Sequence, residues 1–221
     1  MSNSRKVVKL YYDVISTYSW LAFEVLCCYR NVWNIDLKFK PAFLGGVFHG
    51  SGNQKPGLVQ NKFCYMVTDL KQLSEFFGVR VNPPLPCKKG TLNVMRFVTA
   101  VDEKEKERGV LVERVSRELW KNIWCTHQDI THPATLTEAG LKAGLSANEV
   151  EELLILSKSQ QIKDNAFHLS TRIVMVILRS HRSIVIFITY DLFRPHSDRH
   201  YGLNRMTYTK RVVRNRRIRF S

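Results

Sequence analysis

The sequence predicts an α/β fold with a helical subdomain. Three observations favour this fold: a strand–helix–strand unit at the start of the chain, a long helical middle, and a strand-like run late in the chain. Because 221 residues suffice for a small domain that carries an insertion, all three parts can belong to one architecture.

The opening unit begins with residues 6–15, which are rich in Val, Tyr and Ile, as β-strands are. Residues 18–33 follow with apolar positions about one turn apart, a pattern that predicts a helix. Residues 35–44 alternate between apolar and polar side chains, which predicts a second strand connected to the first by a right-handed crossover. The Gly-rich residues 45–57 are predicted to form a loop.

The middle of the chain is predicted to be helical over residues 61–77 and again over residues 91–157. Pro133 suits a first helical turn, Gly144 a C-terminal cap, and residues 146–149 a capping box. The predicted organisation has four segments. They are the first half of the sheet domain (1–80), the helical insertion (81–168), the second half of the sheet domain (169–200) and a basic tail (201–221).

The late strand is predicted over residues 183–190, next to a second β-branched run over residues 173–178. We expect residues 183–190 to join the first two strands in one sheet. Residues 209–221 show neither a helical period nor a clear core face, so local order is not expected there.

The net charge of +15 is concentrated at one end of the chain. Residues 171–221 hold 12 Lys and Arg and 2 acidic residues, a net charge of +10, which leaves +5 for the rest. A solvated surface explains the mild charge of the body. The tail lacks the aromatic residues that interleave with basic ones in many nucleic-acid-binding segments, so no nucleic-acid partner is expected.

Other classes of protein are excluded by what the sequence lacks. The most apolar run, residues 173–193, is interrupted by Arg179 and Arg182, so no membrane span is predicted. The five cysteines form no Cys-x-x-Cys pair, and the N-terminus runs straight into a strand without room for a signal peptide. These features predict free thiols in a reducing compartment. No Cys and His cluster has metal-ligand spacing, so no metal site is predicted.

The junction between the first strand and the first helix carries the best candidate for chemistry. Residues 16–19 read Ser-Thr-Tyr-Ser, the spacing at which thiol oxidoreductases place Cys-x-x-Cys. Two serines cannot cycle a disulfide, but Ser16 at a helix N-terminus can donate a hydrogen bond to another molecule's thiolate. The alternative is that Ser16 is only a helix N-cap, which is the more common role at such a junction.

Six stretches match one known family: YYDVISTYSW (11–20), SGNQKPGL (51–58), KFCYMVTDLK (62–71), GTLNVMRFVTAV (90–101), SRELWKNIW (116–124) and EAGLKAGLSANEVEELL (138–154). Together they resemble the kappa class of glutathione transferases over roughly the first three-quarters of the chain. That class looks like DsbA-type oxidoreductases with serine in place of the attacking cysteine. The resemblance implies an α/β fold in which a thioredoxin-like sheet is split by an inserted helical subdomain, as in DsbA.

The resemblance also implies a glutathione transferase without a cofactor, which takes glutathione as co-substrate and a small electrophile as second substrate. Ser16 would stabilise the thiolate, while Asn53 and Lys62 would hold the tripeptide. Ser197 and Asp198, in a run that resembles the family's Gly-Ser-Asp-Arg, would bind the γ-glutamyl end. Without the resemblance, Asn53 and Lys62 would be interpreted as a turn residue and an exposed helix cation. The resemblance further implies a homodimer. Its expected location is the mitochondrion, with the cytoplasm as the second choice and the peroxisome as a less favoured one.

The C-terminal region departs from the family's pattern. Where the family has a cis-proline before the late strand, this chain has His181-Arg182-Ser183, and the basic tail replaces a final helix. Thr17 stands where a proline is usual. Two alternatives therefore stay open: an inert module that only dimerises or interacts, and a glutathione-dependent isomerase or DsbA-like protein. A shifted reading frame or a mis-spliced message would explain the departure, and sequencing the transcript across the codons for residues 160–221 tests this hypothesis.

Overall fold

A computed structural model describes residues 5–52, 54–82, 90–106, 108–166 and 184–187. Within these ranges the strands form one sheet in the order β2–β1–β3, with both outer strands parallel to β1. The strands are β1 (Lys6–Tyr12), β2 (Ile35–Pro41) and β3 (Ile184–Phe187). The prediction that an early strand–helix–strand unit shares a sheet with a late strand is confirmed.

The described helices separate into one that links β1 to β2 and a larger group that follows β2. They are α1 (Thr17–Tyr29), α2 (Leu44–Ser51), α3 (Gln60–Phe77), α4 (Leu92–Glu105), α5 (Val110–Trp124), α6 (Pro133–Lys142), α7 (Ala147–Leu156) and α8 (160–166), with a 3₁₀ turn at Pro56–Leu58. Within the part of the chain that the structure describes, no helix combines the length and apolar character needed to cross a membrane.

The predicted helix boundaries in the insertion are confirmed by their capping geometry. Pro133 is the first residue of α6, and Gly144 follows that helix with φ of +99°, a left-handed conformation that glycine adopts without steric cost. Ser146 Oγ accepts the Glu149 N–H, and the Glu149 side chain returns to the Ser146 N–H at 2.9 Å. This is the capping box expected over residues 146–149.

The predicted loop over residues 45–57 is wrong in its first half, because α2 occupies Leu44–Ser51. Glycine lowers the stability of an isolated helix by about 1 kcal/mol per residue, which is why the Gly-rich sequence favours a loop. Tertiary packing overrides that preference here, since Val47 and Phe48 are buried. A Cβ at Gly45 would collide with the ring of Phe43, so glycine is needed for this close approach.

An aromatic cluster joins the inserted helices to the sheet in one core. Trp120 of α5 is fully buried, and its ring centroid lies 4.9 Å from that of Tyr12, 4.7 Å from Phe23 and 5.6 Å from Trp20. Phe23 also packs on Phe39 of β2 at 5.0 Å. Because α5, α1, β1 and β2 all contribute rings to the same cluster, the insertion is packed tightly against the sheet.

Ion pairs on the outer side of this cluster bind α1 to α5. Arg117 of α5 contacts Glu24 at 2.8 Å and Glu113 at 3.1 Å, while Arg30 contacts Glu113 at 2.6 Å. The Arg117 guanidinium also lies 4.8 Å from the centroid of the Phe23 ring, within range of a cation–π interaction. These contacts fix the helix whose N-terminus carries Ser16.

Candidate functional site

Ser16 lies where the turn after β1 enters α1. Its backbone is extended, with φ of −84° and ψ of 109°, and its Oγ accepts a hydrogen bond from the Ser19 N–H at 3.2 Å. Ser16 therefore caps α1, as one of its two predicted roles requires. The residue is 8% exposed, and a serine hydroxyl has both acceptor and donor capacity. The capping role and a thiolate-binding role are compatible.

Asp13 is a buried carboxylate three residues before Ser16, and it was not among the predicted site residues. Its Oδ1 accepts the Ile15 N–H at 3.0 Å, and its Oδ2 accepts the Leu44 N–H at 2.8 Å and the Thr91 hydroxyl at 3.1 Å. Its backbone carbonyl accepts the Ser16 N–H at 2.9 Å. The signal in the sequence is an acidic residue at the apolar end of a strand, where a solvated turn residue is the simpler interpretation.

Burial governs the protonation of groups around this turn. It raises the pKa of Asp13 from 3.8 to about 6, against the effects of its hydrogen bonds and of the Lys55 ammonium. Burial also raises the pKa of Tyr12 above its usual range, so the phenol stays neutral and pairs with Ser116 at 2.6 Å. Burial raises the pKa of Cys27 to about 12, which excludes that thiol as a nucleophile at neutral pH.

We expect the Asp13 carboxyl to make the free energy of unfolding depend on pH. Because its folded pKa lies above its unfolded pKa, folding takes up a proton between these values. The stabilisation that this proton uptake adds to the free energy of unfolding is therefore fully present below about pH 4. It is lost as the pH rises through about 6, a change of about 3 kcal/mol. Urea unfolding of the wild type and Asp13→Asn from about pH 4 to about pH 7 measures it, since asparagine does not titrate. Parallel pH profiles would contradict the prediction.

The turn between β1 and α1 is also held by the inserted helices. Trp124, the last residue of α5, donates its indole N–H to the Val14 carbonyl at 3.1 Å. Trp20, one turn into α1, donates its indole N–H to the Arg80 carbonyl at 3.2 Å. The Val14 carbonyl before Ser16 and the Trp20 indole after it are therefore both held by long-range hydrogen bonds, which restricts movement of the turn.

Lys62 lies on the face of α3 that is turned toward the start of α1. Asp69 of α3 accepts the Tyr18 hydroxyl at 2.9 Å, and Tyr18 is two residues beyond Ser16. Seven residues separate Lys62 from Asp69, which places the two on the same helix face roughly 10 Å apart along the axis. Lys62 is half-buried. The structure therefore brings this predicted residue to the same side of the fold as Ser16.

A cleft of about 410 Å³ opens beside α2 and the 3₁₀ turn. Its walls combine apolar and cationic side chains with backbone, and its lining residues are Gly45, Phe48, His49, Gly52, Gln54, Lys55 and Leu58. Leu44, which binds Asp13, directly precedes the first lining residue. The backbone N–H that Asp13 accepts therefore belongs to the residue next to the cleft lining.

Three predicted site residues, Asn53, Ser197 and Asp198, lie outside the described residues, so their roles stay predictions. Gly52 and Gln54, the neighbours of Asn53, both line the cleft. The segment that holds His181-Arg182-Ser183 and the tail over residues 201–221 also lie outside the described residues.

Comparison with known proteins agrees with this geometry. The DSBA-like thioredoxin domain family matches residues 7–171. Glutathione S-transferase kappa 1 from Homo sapiens is 40% identical over 164 residues, covering 72% of this chain and 71% of the human protein. Its counterpart from Rattus norvegicus is 41% identical over 168 residues, 74% of this chain and 73% of the rat protein.

Among solved structures, a 2-hydroxychromene-2-carboxylate isomerase superposes with a TM-score of 0.62, covering 95% of this chain and 97% of the isomerase. At 15% identity this likeness concerns the fold alone. It agrees with a thioredoxin-like sheet that carries inserted helices, the predicted fold class. From the matched domain and the two kappa transferases, we conclude that the chain belongs to the kappa class of glutathione S-transferases, a family of enzymes built on the DsbA-like thioredoxin domain.

Proposed function

We propose that this chain binds glutathione and conjugates it through its sulfur to a small electrophile, with the Ser16 hydroxyl as hydrogen-bond donor to the glutathione thiolate. The observation that carries the proposal is the position of Ser16 as the N-cap of α1, in the site where an oxidoreductase would hold a cysteine. The nucleophilic sulfur then comes from the co-substrate, and the protein supplies its binding and activation.

The reaction requires that the glutathione thiol lose its proton at neutral pH. A thiolate near Ser16 would meet the positive dipole end of α1, which favours an anion. A hydroxyl that donates to the thiolate adds a charge-assisted hydrogen bond. The thiolate then attacks the carbon that bears the leaving group, so that a C–S bond forms, the carbon–halogen bond breaks and halide departs.

The charged ends of glutathione need partners of opposite charge. Lys62 would bind one carboxylate, and the amide of Asn53 would bind the peptide part. Asp198 would pair with the α-ammonium, with Ser197 beside it. Lys55 in the neighbouring cleft adds positive charge that would attract the carboxylates of glutathione.

The proposal is tested by calorimetric titration with glutathione and by conjugation of an aryl halide, both with the full chain. Saturable binding together with turnover that depends on enzyme concentration supports it. A folded protein that neither binds glutathione nor accelerates conjugation contradicts it, and then the inert dimerising module is the better description. Turnover of an aromatic carboxylate isomer in place of the aryl halide would favour an isomerase.

Lys62→Gln is expected to raise KM for glutathione about 10-fold and to leave kcat within about threefold, because a contact to the peptide carboxylate acts on binding more than on the reacting sulfur. Steady-state kinetics with varied glutathione measure both constants. Lys71→Gln is the matched control, since it removes the same charge from an exposed position of α3. An equal KM for the two variants would contradict the role of Lys62.

We also propose that the chain is a homodimer that acts in detoxification. Its proposed location is the mitochondrion, with the cytoplasm as the second choice. Sedimentation at micromolar concentration tests the dimer, and a clean monomer contradicts it. Cell fractionation tests the location, and recovery of the protein in the secreted fraction would overturn it together with the free-thiol argument.

A further inference from the structure

The Asp13 carboxylate is the point at which three helix N-termini meet. We propose that Asp13 is a positioning residue for the transfer reaction, because it fixes the Ser16 turn and the start of the cleft-forming helix α2 to the inserted helix α4. This inference deepens the proposed function and rests on it for its kinetic consequences. The positioning itself is a property of the fold.

Each hydrogen bond to Asp13 comes from a different element. The Ile15 N–H belongs to the turn before α1, the Leu44 N–H is the first of α2, and the Thr91 hydroxyl stands at the N-cap position of α4. The Asp13 carbonyl accepts the Ser16 N–H in addition. One residue therefore sets the relative position of the candidate catalytic hydroxyl, the cleft wall and the insertion.

Of the common polar side chains of this length, an ionised carboxylate best satisfies this arrangement. Backbone N–H groups approach both Oδ1 and Oδ2, so both side-chain atoms must accept. An asparagine of the same shape would present an NH₂ group to one of those N–H groups, which leaves two buried donors facing each other. Helix N-termini and the Lys55 ammonium supply the positive potential that an anion needs here.

Burial and hydrogen bonding act in opposite directions on the charged form of Asp13, since its hydrogen bonds favour the anion that burial disfavours. Asp13 is 2% exposed, and burial penalises its charged form. Since Ser16 is only three residues away, a shift of the turn is transmitted directly to its hydroxyl.

The experiment compares Asp13→Asn, Thr91→Val and the matched control Thr91→Ser in the full chain. Asp13→Asn is expected to lower kcat about 10- to 100-fold, since small displacements of a reacting group have effects of this size. The pKa of the bound glutathione thiol, read from thiolate absorbance, is expected to rise by about one unit. Thr91→Val should also lower kcat and raise the thiol pKa, each by less than Asp13→Asn does. Thr91→Ser, which keeps the hydroxyl, should match the wild type.

The values of kcat and of the thiol pKa distinguish a positioning role of Asp13 from a purely structural one. If Asp13→Asn and Thr91→Val change thermal stability but leave kcat and the thiol pKa as in the wild type, the positioning role is overturned. If Asp13→Asn does not fold, the comparison of Thr91→Val with Thr91→Ser decides by the same readouts.

Failure of the proposed function would be visible in the wild type itself, as absence of glutathione binding or turnover. In that case amide hydrogen exchange at Ser16 and Leu44 still tests the positioning. Faster exchange at both amides in Asp13→Asn and Thr91→Val than in Thr91→Ser supports it, and equal exchange in all variants overturns it.

Discussion

Replacement of Ser16 by alanine or glycine is expected to lower kcat for conjugation about 100- to 1,000-fold, the usual effect of removing one hydrogen-bond donor from a developing or stabilised anion. KM for glutathione should change far less, because the charged ends of the tripeptide are bound elsewhere. The pKa of the bound thiol should rise in both variants, since a charge-assisted hydrogen bond to the thiolate is lost. Steady-state kinetics and a thiolate titration provide the measurements.

The pair of variants separates the two predicted roles of Ser16. Loss of an N-cap serine to alanine destabilises a helix by about 1 kcal/mol, whereas glycine costs only a few tenths. If Ser16 is merely a cap, Ser16→Gly keeps nearly full turnover, and that result would contradict the thiolate-binding role. Ser19→Ala is a further control, because it removes a hydroxyl from the same turn and keeps the N–H that Ser16 accepts.

Trp120→Ala is expected to lower the free energy of unfolding by about 3–5 kcal/mol, the range for a large aromatic side chain removed from a core. Trp120 is fully buried and contacts rings from β1 and α1, so its removal leaves a cavity between the insertion and the sheet. Since most domains are stable by only about 5–15 kcal/mol, the variant is expected to lie near the limit of folding. Urea unfolding followed by circular dichroism measures the change.

Phe76→Ala is the matched control for the size of an aromatic side chain. Phe76 is 49% exposed on α3, so its loss should cost under about 1 kcal/mol. A Trp120→Ala variant that is no less stable than Phe76→Ala would show that the aromatic cluster does not hold the insertion against the sheet.

Local patterns in the sequence were sufficient for the elements whose own residues specify them. The capping box of Ser146 and Glu149 and the glycine after α6 are recognisable because each partner lies within a few residues of the other. The Val, Tyr and Ile content of β1, the alternation in β2 and the Ser16 junction are local in the same sense. The candidate site residue Lys62 was predicted only through resemblance, since an exposed-looking helix lysine carries no distinctive local signal.

What the sequence by itself determined about this protein is therefore the order of strands and helices, the sheet class with its inserted helices, and the serine at the start of α1. Only the tertiary structure decided that a Gly-rich stretch forms α2 and that Asp13 is a buried carboxylate. The physical reason is that both depend on groups distant in sequence. α2 is stabilised by burial of its apolar face, and Asp13 meets Leu44 and Thr91 from positions 31 and 78 residues away, contacts that no local pattern encodes.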